Sequence, residues 1–167
     1  MISTLISIPL FALLVMVQSA IVSRLPLLRG FPDLILLTMI AWALHERVTT
    51  SWQWGILGGI IAGYMSAIPI VVPIAGYLGA IAMARVFQHR IWKTPLLAMF
   101  LTTFLATLFY HGLTIGALQF AGTRFSIEQA VNLITLPSIL LNLALALPVY
   151  GLVKELADWL YPVKIEL

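Results

Sequence analysis

His111 is the one histidine, acid or base set deep inside the uncharged run from Thr94 to Thr123. In an apolar helix such a group points first to proton transfer or metal binding. Both chemistries need a second polar ligand one helical turn away. Positions 107, 108, 114 and 115 are Thr, Leu, Thr and Ile, so no carboxylate or second imidazole stands there. A neutral imidazole bonded to a threonine or a backbone carbonyl is the expectation that fits. Asp33 follows Pro32, where proline suits the first helical turn and a carboxylate meets the positive end of the helix dipole. Pro32 and Asp33 therefore read as a helix start with Arg29 as a neighbour, or as an ion pair offered to a partner. Gln18 and Asn142 are amides within apolar runs. Asn142 can bond across helices or to backbone freed by Pro137, with ligand contact as the other option.

Catalytic constellations are missing from the sequence. His45-Glu46 is followed by Thr49 where a zinc protease motif needs its second histidine. There is no Gly-x-Ser-x-Gly elbow, no phosphate-binding glycine loop and no cysteine. The sequence thus predicts no enzyme, no cofactor and no metal. The charge of +3 with a pI near 9.5 is read as a topology signal and not as a nucleic-acid surface.

The elements that must hold these residues follow from where charge is absent. Met1–Ser23, Val48–Ala84, Thr94–Thr123 and Gln129–Val153 carry no Asp, Glu, Lys or Arg, and the mean hydropathy is +1.07. A bilayer core takes roughly 20 apolar residues per helix. An all-α, polytopic membrane domain over the whole chain is expected, with six transmembrane helices. Their spans are about 2–22, 33–46, 53–67, 72–87, 94–118 and 133–153. The first is a retained span, because its first charge, Arg24, comes after the apolar run. Pro69 and Pro73 divide the third from the fourth, and Thr123 to Asn132 forms a polar outer segment. Arg47, Arg85, Arg90, Lys93, Lys154 and Lys164 fall in the tail and in the second and fourth loops. Only Arg24, Arg29 and Arg124 fall in the other three. That bias predicts both termini in the cytoplasm. Trp42, Trp52, Trp54, Trp92 and Trp159 lie mostly near span ends, as an interfacial belt would.

Gly55, Gly59 and Gly63 recur every fourth residue with Ala67 next in the row, and Gly76, Ala80 and Ala84 repeat the pattern. On a helix this makes a shallow groove where another backbone can approach. It serves either packing between the third and fourth spans or a groove for a partner helix.

Taken in order, several short motifs are similar to the bacterial rod shape-determining MreD family. They are Gln18-Ser19, Gly30-Phe31-Pro32-Asp33-Leu34, Ser66-Ala67-Ile68-Pro69, Gly76-Tyr77-Leu78-Gly79, the basic loop from Arg85 to Arg90, Leu136-Pro137-Ser138 with Asn142, and Leu147-Pro148-Val149-Tyr150. Phe31 stands where such proteins often have arginine, and Gly63 where they commonly have an acid. The resemblance implies a scaffold of the cell-elongation machinery in the bacterial cytoplasmic membrane. It would bind an MreC-like bitopic protein and link MreB filaments to a RodA-type glycosyltransferase and a penicillin-binding transpeptidase. A lipid-facing groove around Gly59 would receive the partner's helix. The layout is also similar to the substrate-binding components of energy-coupling-factor vitamin transporters. Those dock through an Ala-x-x-x-Ala row, which Met16 interrupts here between Ala12 and Ala20, and the apolar Ala67–Val72 loop is unlike a vitamin pocket.

Overall fold

The computed structural model describes residues 2–22, 29–90 and 94–162. Arg24, Trp92, Lys93 and Lys164 lie outside the described residues. Six helices and no strand occur among the described ones: α1 (Ile2–Val22), α2 (Leu34–Leu44), α3 (Ser51–Met65), α4 (Val71–Arg90), α5 (Pro95–Phe120) and α6 (Ile127–Leu160). Four of them, α1, α4, α5 and α6, are long and apolar enough to cross a membrane. The 11 residues of α2 and the 15 of α3 rise only about 16 and 22 Å, short of a hydrocarbon core of about 30 Å.

The short α2 is the centre of the molecule. Every residue from Leu34 to Leu44 is buried, and α2 touches each of the other five helices. A helix that is hydrophobic all round belongs inside, and LILLTMIAWAL has no polar face to turn outward.

The row of Gly55, Gly59 and Gly63 is consumed by the α3–α4 hairpin. A Cβ on Gly59 would sit 2.6 Å from Ile74 Cα, one on Gly63 2.5 Å from Ile70 Cγ1, and one on Gly55 2.5 Å from Ile81 Cδ1. Rising numbers on α3 meet falling numbers on α4, so the two helices run antiparallel at close range. The groove around Gly59 is therefore filled from within and does not face lipid. Gly76 packs on the ring of Tyr110, and Ala80 and Ala84 are fully buried. Ala67 leaves the row, because α3 stops at Met65 and Ala67 lies exposed in the turn before α4.

Other boundaries also move. The region expected as a polar outer segment is helical from Ile127, and α6 continues past Lys154-Glu155 to Leu160. Val153 and Ala157 are buried on that last stretch, so packing extends the helix beyond its charge-free part. Within α6, Val131–Thr135 forms a single π-helical turn, a widening that re-aims side chains.

The termini meet at one end. The Tyr161 hydroxyl donates to Ser3 Oγ at 3.1 Å, and Trp54 Nε1 donates to the Ser3 carbonyl at 3.1 Å. Trp42 and Trp54 stack with centroids 4.0 Å apart, and Phe11 meets Trp54 edge-on at 5.4 Å. These two tryptophans are core residues and form no interfacial belt, while Trp52 and Trp159 are exposed. The Arg85 guanidinium holds the α2–α3 turn through Ser51 Oγ at 2.9 Å and the Val48 carbonyl. His45 Nε2 lies 3.1 Å and Arg47 Nη1 3.4 Å from Asp158 Oδ1, fixing the same turn to α6.

Candidate functional site

At the opposite end the chain must begin α2 inside the bundle, which creates a local problem. The first N–H groups of a helix have no partner within the helix, and among apolar helices each unpaired group costs free energy. The Asp33 side chain and side chains from two other helices supply the partners. Asp33 caps α2, its Oδ1 accepting from the Leu36 N–H at 2.9 Å. The Leu34 N–H donates to Gln18 Oε1 of α1 at 3.2 Å. The Asp33 N–H donates to Asn142 Oδ1 of α6 at 2.8 Å, and the Phe31 N–H to Ser138 Oγ at 3.1 Å. Gly30 lies so close to α6 that a Cβ there would be 2.5 Å from Pro137 Cβ, which is why a residue with no side chain stands at that crossing.

The knot extends through its polar atoms. The Tyr77 hydroxyl of α4 reaches both Asp33 carboxylate oxygens, at 3.2 and 3.0 Å. Asn142 Nδ2 donates to Thr107 Oγ1 of α5 at 3.1 Å, and Thr107 in turn donates to the Thr103 carbonyl at 2.7 Å. Asn142 thus bonds across helices, serving α2 with its oxygen and α5 with its nitrogen. Pro32 and Asp33 are buried. Arg29 is exposed, its N–H donating to the Leu133 carbonyl at 3.0 Å. It makes no ion pair with Asp33, whose hydrogen-bond partners among the described residues are all uncharged.

His111 lies apart from this knot. Its Nδ1 is 3.1 Å from Thr135 Oγ1, the last residue of the π turn. No group of three or more metal-ligating side chains occurs among the described residues.

Two clefts open beside the knot. One, of about 340 Å³, is lined by Asp33, Gln18, Tyr77 and Ala62 among others. The second, of about 350 Å³, runs past His111, Thr114, Leu118 and the π turn, with Arg29 in its wall. Phe31, Ile68 and Tyr110 belong to both.

Spacing along the chain gave no sign of the Tyr77 and Ser138 hydroxyls as partners of the residue 31–33 segment. They sit on helices far apart in sequence, and an aromatic or serine in an apolar run is unremarkable by itself.

The fold and its four long apolar helices define a helical membrane protein. Comparison with protein families, with curated proteins and with solved structures finds no match to this chain.

Proposed function

We propose that this protein is a membrane scaffold of the bacterial cell-elongation machinery, of the MreD kind, which binds an MreC-like bitopic protein. One observation carries the reading. Gln18, Gly30 to Asp33, Tyr77, Pro137-Ser138 and Asn142, several of the scattered residues on which the resemblance rests, meet in a single hydrogen-bonded knot. Their hydrogen bonds tie α1, α2, α4 and α6 together at one point, as suits residues that set a shape.

Six spans are part of this proposal, with α2 and α3 crossing by local thinning and by the loops at their ends. So is the orientation. Arg47, Arg90 and Lys154 accompany the end where Ser3 meets Tyr161, and Arg29 and Arg124 the other, which by the positive-inside rule puts both termini in the cytoplasm. With the Gly59 groove closed, the partner's helix has α1 to pack on. Leu5, Ile8, Leu13 and Met16 of that helix are exposed.

The test is affinity purification of the tagged protein from its native membrane in mild detergent. Recovery of a single-span, coiled-coil periplasmic protein in stoichiometric amount supports the scaffold. The two clefts favour a second reading, a solute-binding subunit of an energy-coupling-factor type transporter. Recovery of ATPase subunits with a membrane coupling protein would establish that one instead.

A further inference from the structure

We propose that the cleft beside Asp33 binds an organic ammonium ion, whose apolar body extends into the adjoining cleft. Asp33 is the one Asp, Glu, Lys or Arg counted as buried among the described residues. An ionised carboxylate accepts at about four lone-pair positions. The backbone N–H groups of Leu36 and Ile35 and the single Tyr77 hydroxyl proton are its donors here, one fewer than the positions it offers, and no cationic side chain among the described residues reaches it. A buried carboxylate without a counter-charge is costly unless it takes up a proton or a cation.

The surroundings select the kind of cation. No second carboxylate lines the cleft, so a divalent metal, which takes six or more oxygen ligands or keeps several waters, lacks its donor set. Phe31, Tyr77 and Tyr110 supply three aromatic rings instead, and aromatic faces attract ammonium groups. Across Phe31 and Tyr110 the second cleft offers apolar wall at Ile115, Leu118 and Leu133. Volumes near 340 and 350 Å³ lie in the range of small-molecule sites. An amine head at Asp33 with a hydrocarbon or aromatic body beyond it matches both halves. The scaffold reading neither requires nor excludes this ligand.

The experiment is calorimetric titration of the intact purified protein, in uncharged detergent, with phenethylammonium and with its neutral isostere 2-phenylethanol. Saturable binding of the amine, at least about tenfold tighter than the alcohol, is expected, as for a charge-assisted contact. Asp33→Asn keeps the helix cap, since asparagine caps as well as aspartate, and is expected to remove that tenfold preference. Ala62→Phe narrows the same cleft without touching the cap and is expected to weaken the amine, which decides the matter should Asp33→Asn fail to fold. Equal affinity for amine and alcohol in the native protein, or undiminished amine binding in both variants, would overturn the proposal.

Discussion

The backbone N–H of Asp33 donates to Oδ1 of Asn142 at 2.8 Å, joining residues 109 positions apart. This contact lets a helix start inside the bundle. It supplies an acceptor that neither lipid nor the helix itself can offer, and the other end of the same amide binds Thr107.

Removing that amide strands one backbone donor and loses a second bond. Asn142→Leu keeps the volume but orphans the Asp33 N–H and removes the bond that Thr107 Oγ1 accepts, while Thr107 still donates to the Thr103 carbonyl. A loss of about 1–3 kcal/mol for the orphaned N–H is expected, read as an earlier thermal transition in detergent. Leu141→Ala, one residue away on a half-buried position, is expected to shift it far less.

Gly59 and Gly112 should respond in opposite ways. A Cβ on Gly59 meets the Ile74 backbone at 2.6 Å, whereas one on Gly112 meets nothing within 4 Å. Gly59→Leu must separate α3 from α4, so a sharp fall in folded yield is expected by size-exclusion in detergent. Gly112→Ala, in the interior of α5, is expected to raise stability by about 0.5–1 kcal/mol through helix propensity.

Trp42 and Trp54 stack inside the end where the termini meet. Replacing Trp54 by Ala removes the stack, the edge contact with Phe11 and the bond to the Ser3 carbonyl. A destabilisation of about 3–5 kcal/mol is expected, with a loss of blue-shifted fluorescence. Trp159→Ala, at an exposed position, should leave the transition nearly in place.

The proposed orientation is open to direct labelling, because the chain has no cysteine. Glu46 and Thr123 are exposed on opposite ends of the bundle. A membrane-impermeant maleimide is expected to label Thr123→Cys in cells with a permeabilised outer layer, and Glu46→Cys only after the inner membrane is broken. The reverse pattern would invert the topology.

The proposed partner surface on α1 is separable from the fold. Ile8→Trp and Leu13→Trp add bulk to exposed positions and should leave thermal stability unchanged. A reduced yield of the co-purified single-span protein is the expected result, and unchanged recovery would move the interface elsewhere.

The sequence by itself determined the helical class and the four long apolar helices, because both depend on composition and charge along the chain. The spacing of Gly55, Gly59 and Gly63 showed that a backbone must come close. It could not name Ile70 and Ile74 as the occupants, since a small-residue face has the same period whether it meets its own hairpin or a stranger. Asp33 was legible as a helix start, because proline and a carboxylate carry local rules. That it is buried, served by Tyr77 and linked to Asn142 depended on where α4 and α6 come to rest. Only the tertiary structure decided that. It also decided that α2 is the buried centre, because eleven residues with Thr38 alone polar fit several places until five other helices close around them.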